Sequence, residues 1–369
     1  MSDAAAAAAP FMARALELAA LGLYTTDPNP RVGCVLVRDG RIVGEGWHAR
    51  AGEPHAEVLA LRAAGAEAAG AAAYVTLEPC SHTGRTPPCA DALIAAKIGA
   101  VHCASSDPNP KVAGDGLRRL EAAGIAVSVG DQAAAARALN PGFFSRFERR
   151  RPYVRLKLAM SLDGRTARTG GAKAWVSGPE SRADVQRLRA RSSAVMTGAG
   201  TVRADDPRLD VRLEYGPWVR QPLRVVLDAE LSCDPNARVF ARPDALVFAA
   251  PEAVARRGAS PPGALAGRRV ETLARGTGGL DLGAVLERLA VLEVNELLVE
   301  CGPRLAASFL RARLVDELIL YVAPTLLGAD APALTALTGL EPGTIDAERF
   351  VFGDVCRMGA DLRLTLTPV

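Results

Sequence analysis

Three short pieces near the start of this 369-residue chain combine residues that bind metal and move protons. They are Pro54-His55-Ala56-Glu57, Glu78-Pro79-Cys80 and Cys89. A hydrolytic zinc site needs three protein ligands and an open fourth position for water. His55, Cys80 and Cys89 offer one imidazole nitrogen and two thiolates, whose charge cancels that of the ion. Glu57 is the kind of group that takes a proton from water and passes it to a leaving nitrogen. On an ideal helix, residues two apart point roughly 200° away from each other. His55 and Glu57 therefore converge only at a helix start, where Pro54 is well placed. Pro79 is placed likewise before Cys80 and predicts a thiolate at a helix N-terminus, facing unpaired N–H groups.

His-x-Glu followed by Pro-Cys-x-x-Cys is the zinc deaminase signature. Here eight residues, 81–88, separate the cysteines. The plain alternative is a helical histidine beside two buried cysteines. Prolines before both pieces and two thiols after them favour zinc. The loop between the thiols carries His82, Arg85 and Thr86, which offer an imidazole, a cation and a hydroxyl to an anionic substrate. Cys34 and Cys103 fall in apolar strands and read as core, while Cys233 and Cys356 have no partner pattern. His102 reads as structural. The four histidines, His48, His55, His82 and His102, all precede residue 103, so the second half works without imidazole.

Elements must hold these residues. Apolar periodicity predicts a helix over 11–22. Two prolines then stiffen the loop at 26–30, and an Asp39-Gly40 turn joins strands at 32–37 and 41–44. Helices follow at about 55–64, 90–96 and 116–123, alternating with strands at 73–77, 100–104 and 125–129. This order implies a mixed sheet covered by helices. The charged stretch 146–152 is the best boundary, giving domains 1–148 and 152–369. The second half opens with a strand at 153–160 and continues with helices at about 180–190, 282–292 and 304–312. Strands fall at 194–198, 223–227, 245–250, 296–299 and 317–322, and 350–355 with 362–367 alternates as a closing hairpin. Residues 258–263 and 276–279 read as loops. No repeat links the halves.

Composition narrows the classes. Two domains suit the length. With 49% hydrophobic and 23% charged residues the chain is globular. Lys and Arg number 44 against 41 Asp and Glu, too balanced for a nucleic-acid binder. No apolar run is long enough to span a bilayer. Without a signal peptide, seven irregularly spaced cysteines read as reduced thiols or metal ligands in a cytoplasmic protein.

Longer motifs now become specific. They are Thr26-Asp27-Pro28-Asn29-Pro30-Arg31-Val32-Gly33-Cys34, Gly52-Glu53-Pro54-His55-Ala56-Glu57, residues 76–89 and Asp107-Pro108-Asn109-Pro110-Lys111 through Gly116. In the second half come Leu156-Lys157-Leu158-Ala159-Met160-Ser161-Leu162-Asp163-Gly164, Trp175-Val176-Ser177, residues 201–207 and Val299-Glu300-Cys301-Gly302-Pro303. In this order, and over essentially the whole chain, the sequence resembles the bifunctional riboflavin-biosynthesis deaminase/reductase family. The long insert between Cys80 and Cys89 is that family's own form.

The resemblance implies an α/β protein, with an N-terminal cytidine-deaminase-like αβα domain and a C-terminal dihydrofolate-reductase-like domain. The first would deaminate a diaminopyrimidinone carrying a ribosylamino 5′-phosphate, with Zn2+ on His55, Cys80 and Cys89 and with Glu57 shuttling protons. Asn29 would hold the ring, and His48 would also contact substrate. His82, Arg85 and Thr86, with Asn109, would lie on the phosphate side. The second would reduce the ribosyl chain with NADPH. Lys157, Arg189, Leu209, Arg212 and Glu300 would bind substrate, and Ala159, Trp175, Thr201, Asp205 and Gly302 the cofactor. The expected partners are a small pyrimidine ribose-phosphate and further copies of the chain, with no nucleic acid and no membrane.

From residue chemistry alone the reductase half is harder to name. Gly198-Ala199-Gly200 lacks the third glycine of a dinucleotide fingerprint. Cys301-Gly302-Pro303 could open a helix as a phosphate cradle or be an ordinary strand-to-helix turn. Cys301 stands where the family often has glycine, and Lys173 where a small polar residue is expected. Neither is assigned a role.

Overall fold

The structure is a computed structural model. It describes residues 3–81, 87–167, 175–212, 219–256, 269–276, 278–337 and 350–369. The chain divides into two compact units, Met1–Arg150 and Arg151–Val369.

The first unit runs α1 (Asp3–Ala20), β1 (Gly33–Arg38), β2 (Arg41–Trp47), α2 (Ala56–Ala64), β3 (Ala72–Val75) and α3 (Cys89–Ala95). It continues β4 (Ala100–Cys103), α4 (Asp115–Ala122), β5 (Ala126–Val129), α5 (Ala133–Leu139) and α6 (Pro141–Glu148). The sheet order is β2-β1-β3-β4-β5. β1 is antiparallel to both neighbours, and β3, β4 and β5 run parallel. Alternation along β1 sends Cys34 and Leu36 to one face and Val35 and Val37 to the other. The first pair packs with Ala56, Ala60, Leu93 and Leu120 of α2, α3 and α4. The second packs with Met12, Ala15 and Ala136 of α1 and α5. The result is an αβα sandwich.

Close approach fixes where α2 lies. A Cβ on Gly46 of β2 would stand 2.3 Å from the Ala56 carbonyl oxygen and 2.6 Å from the Ala60 nitrogen. One on Gly44 would stand 2.3 Å from the Ala60 oxygen. The helix backbone sits on bare strand, and its first turn is seated at the sheet.

The second unit contains β6 (Tyr153–Ser161), α7 (Pro179–Arg191), β7 (Ala194–Gly198), α8 (Ala199–Asp205), β8 (Leu223–Leu227), β9 (Ala245–Ala249), α9 (Pro251–Arg256) and β10 (Arg269–Thr272). It ends with β11 (Arg275–Gly276), β12 (Gly279–Leu280), α10 (Leu282–Val291), β13 (Glu296–Glu300), α11 (Pro303–Arg311), β14 (Glu317–Ala323), β15 (Phe350–Met358) and β16 (Asp361–Pro368). Nine strands form one sheet, ordered β10-β9-β8-β7-β13-β6-β14-β16-β15. From β10 to β14 the neighbours are parallel, and the closing β15–β16 hairpin is antiparallel. Val285, Leu289, Ala306 and Phe309 of α10 and α11 cover one face, and Val185, Leu188 and Val202 of α7 and α8 cover the other. After β10 the chain returns to insert β13 between β7 and β6, then crosses to β14. Ligands of open α/β sheets collect at the carboxyl ends of strands at such a reversal.

Several expectations are corrected. α1 begins at Asp3, so the alanine run is helical. Cys80 does not begin a helix; Cys89 does. The stretch 146–152 is not all linker, because α6 continues to Glu148. Gly276 and Gly279, expected in a loop, pair across the short hairpin of β11 and β12. Helices α5, α6, α8 and α9 and strand β10 add to the expected elements. Residues 258–263 lie outside the described residues. Among the described residues, no helix is long and apolar enough to cross a membrane.

Candidate active sites

His55 is the N-cap residue of α2, in extended conformation (φ −74°, ψ 165°), and Glu57 is the helix's second residue. The extended step before the helix turns two side chains two apart toward one place. Cys89 opens α3. Its N–H donates to the Cys80 sulfur at 3.3 Å, and the Ala90 N–H donates to the Cys80 carbonyl at 3.2 Å. Cys80 therefore meets the N-terminus of α3 in space, although it lies outside that helix in sequence.

His55 Nδ1 lies 3.2 Å from Cys89 Sγ and 3.6 Å from Cys80 Sγ. All three donor atoms fall within 4.8 Å of one another. Zinc bonds of about 2.0–2.1 Å to nitrogen and 2.3 Å to sulfur, at tetrahedral angles, span edges of about 3.6 Å, so the donor set fits this ion. Hydrogen bonding to Cys89, then to His55, drives Cys80 toward thiolate. The bond to Cys80 raises the His55 imidazole. Glu57 is 3% exposed. Burial, then the charge of Cys80, pushes its carboxyl up to about 7, while the Cys89 sulfur hydrogen-bonds to it.

Asn29 and His48 adjoin this centre. The Asn29 amide nitrogen is 3.0 Å from His48 Nε2, and His48 Nδ1 is 3.2 Å from the Pro54 carbonyl. Nδ1 thus donates and Nε2 accepts. Burial lowers the His48 pKa and keeps the ring neutral. Both ring nitrogens are engaged within the protein, so His48 sets the orientation of Asn29. Asn109 lies in a turn where its N–H donates to Asp107 and its Oδ1 accepts from the Lys111 N–H. His82, Arg85 and Thr86 lie outside the described residues. His102 stacks on Tyr74 with centroids 4.7 Å apart. Cys34 and Cys103 are core residues.

In the second unit a chain of charges gathers where the carboxyl end of β13 pairs with the middle of β6. Lys157 and Glu300 are cross-strand partners. Arg189 of α7 grips Glu300 through Nε at 2.6 Å and Nη2 at 2.8 Å, and donates through Nη1 to the Asp210 carbonyl at 3.1 Å. Arg212 holds the Asp210 carboxylate at 2.8 Å. Leu209 beside it is buried, with φ +55°. Burial alone would raise the Glu300 carboxyl, but Arg189 and then Lys157 outweigh it and hold it below its usual value. Burial lowers the Lys157 ammonium. Four of the five expected substrate residues thus form one network, with Leu209 at its edge. Asp210, which sequence reasoning missed, joins its parts. The alternation Arg208-Leu209-Asp210-Val211-Arg212 was the available signal.

β7 and β13 are adjacent; β7 runs directly into α8, and β13 reaches α11 through Cys301 and Gly302. The Gly302 N–H donates to Thr201 Oγ1 at 3.1 Å, tying the two turns together. A Cβ on Gly200 would meet nothing within 4 Å. Two helix starts beside bare glycine suit a dinucleotide phosphate. Ala159 lies on β6, two residues beyond Lys157. Trp175 is 74% exposed under the Arg182 guanidinium, and Asp205 ends α8. Cys301 is half-buried beside Glu300. Lys173 lies outside the described residues.

Fold and donor set together define a zinc-dependent deaminase joined to a reductase. Residues 6–105 match the cytidine and deoxycytidylate deaminase zinc-binding region, and residues 152–362 match the RibD C-terminal domain. The riboflavin biosynthesis protein RibD of Escherichia coli is 49% identical, over 96% of this chain and 98% of its own. That of Haemophilus influenzae is 45% identical, over 97% and 96%. The solved structure of Acinetobacter baumannii RibD is 42% identical with a TM-score of 0.91, covering 99% of both chains. A diaminohydroxyphosphoribosylaminopyrimidine deaminase/5-amino-6-(5-phosphoribosylamino)uracil reductase from Thermotoga maritima is 31% identical with a TM-score of 0.84. It covers 99% of this chain and 100% of its own. The chain belongs to the RibD family, the bifunctional deaminase/reductases of riboflavin biosynthesis.

Proposed function

We propose that residues 1–148 deaminate 2,5-diamino-6-ribosylamino-4(3H)-pyrimidinone 5′-phosphate and that residues 152–369 reduce its ribosyl chain. The product is 5-amino-6-ribitylamino-uracil 5′-phosphate. The observation that carries the first step is the convergence of His55, Cys80 and Cys89 beside buried Glu57. Zinc held by His55, Cys80 and Cys89 would supply activation of water at neutral pH. The Glu57 carboxylate would hold the proton and pass it to the amino nitrogen, which leaves as ammonia. Its buried position keeps the proton from bulk solvent. Asn29, oriented by His48, holds the pyrimidinone ring. Asn109, with His82, Arg85 and Thr86, serves the phosphate.

In the reductase, NADPH supplies the hydride, and the protein binds and orients. Lys157, Arg189, Arg212 and Glu300, with Leu209 beside them, hold the ribose-phosphate. Ala159, Trp175, Thr201, Asp205 and Gly302 hold the cofactor. Seven free cysteines support a cytoplasmic setting. The balanced charge supports a small-molecule substrate rather than nucleic acid. Exposed Val351, Phe352 and Val355 on edge strand β15 support a homo-oligomer, which light scattering would test.

The functional test follows ammonia release and NADPH oxidation on the diaminopyrimidinone nucleotide. A zinc chelator should abolish the first while leaving reduction of supplied deaminated nucleotide intact. Ammonia release that persists after zinc is stripped would contradict the proposal.

A further inference from the structure

Glu78 carries no role in the chemistry above, yet it is 3% exposed and its carboxylate is fully engaged. Oε2 accepts the Asp107 N–H and the Gly114 N–H, each at 3.1 Å, and Oε1 accepts the Gly116 N–H at 3.1 Å. All three donors belong to one segment, 107–116, which carries Asn109 and Lys111 and then turns into α4. Gly114 is the N-cap of α4 and Gly116 its second residue, so the carboxylate also satisfies amides that the helix itself leaves unpaired. On the other side, Glu78 is two residues before Cys80 and is joined to it through Pro79. The same segment touches that link: a Cβ on Gly116 would stand 2.0 Å from the Pro79 oxygen. The Glu78 N–H is fixed on the Ser105 carbonyl at 2.9 Å. One buried carboxylate thus ties the loop bearing a zinc donor to the segment bearing Asn109.

We propose that Glu78 is a positioning residue for the deaminase reaction, setting the distance between the metal centre and the phosphate-binding segment. The inference rests on the reading that segment 107–116 faces the substrate phosphate. A carboxylate suits the task because it accepts three N–H bonds and donates none. A glutamine turns an NH2 toward at least one of those donors, whichever way its amide is oriented.

The test compares Glu78→Gln with wild type on two substrates, the diaminopyrimidinone nucleotide and the same compound without its 5′-phosphate. Zinc content and reduction of supplied deaminated nucleotide serve as folding controls. The expected result is full zinc, unchanged reduction, and a rise in KM of about tenfold or more for the nucleotide, with little change for the dephosphorylated compound. Gly116→Ala, which pushes the segment off Pro79 with Glu78 intact, should move KM the same way. Equal losses on both substrates, loss of zinc, or an unchanged KM would overturn the proposal. Lys111→Ala and Asn109→Ala separate the two layers. If neither reduces the preference for phosphate, the reading of the segment falls, and the proposal falls with it. If they reduce it and Glu78→Gln does not, the positioning role alone falls.

Discussion

The Cys80 sulfur receives an N–H from a helix it does not belong to, and this makes it a ready anionic donor. Serine lacks the soft thiolate that zinc prefers. Wild-type chain should therefore carry about one zinc, and Cys80→Ser a small fraction of that, measured by atomic emission on dialysed protein. In the second unit, Arg189 neutralises a largely buried carboxylate. Arg189→Met removes the two-pronged partner of Glu300, leaving Lys157 to balance its charge, and should cost about 3 kcal/mol in denaturant unfolding. Glu300 titrates below the usual carboxylate value when folded, so its contribution is fully present above about pH 4.3 and is lost as pH falls through the folded value. The stability gap between wild type and Glu300→Gln should accordingly shrink on acidification below pH ~4, read by thermal unfolding across pH. The zinc donors were legible from residue types alone, because few combinations of His, Cys and Glu do other chemistry. The reductase cluster was legible only by resemblance. Arg189 and Glu300 are 111 positions apart, and no local pattern announces their pairing. Glu78 belongs to the Glu-Pro-Cys motif, but the three backbone amides it grips lie 29 to 38 positions on, beyond any local pattern.

Most strands of both sheets were visible as apolar runs, because burial on both faces leaves little room for polar residues. The order β7-β13-β6 was not visible, since it depends on a late strand inserting between two early ones. Helices α5 and α6 escaped notice for different reasons. α5 is an alanine run without apolar periodicity, and α6 ends in the charged residues that suggested a linker. Glycines 44 and 46 carry no side chain, and that is what lets α2 settle on the sheet. Gly46→Ala places a methyl 2.3 Å from the Ala56 oxygen, and the first turn of α2 must lift. The expected cost is about 1–3 kcal/mol, accompanied by weaker zinc retention in competition with a chromogenic chelator. A variant that lost stability but kept wild-type zinc affinity would separate α2 seating from the metal centre.

At the scale of the molecule, two units divide the work according to their residues. One holds all four histidines and the metal donors. In the proposed reading, the other builds its site from arginine, lysine and glutamate around a borrowed hydride. Two separately addressable sites in one chain are the central claim, and Glu57→Gln addresses one of them. The measurement is a paired assay on this variant, of ammonia release from the diaminopyrimidinone nucleotide and of NADPH oxidation with the deaminated nucleotide supplied. The account predicts retained zinc, deamination reduced by about 10²–10⁴-fold, and reduction at the wild-type rate. Reduction lost together with deamination, or ammonia released at the wild-type rate, would contradict it.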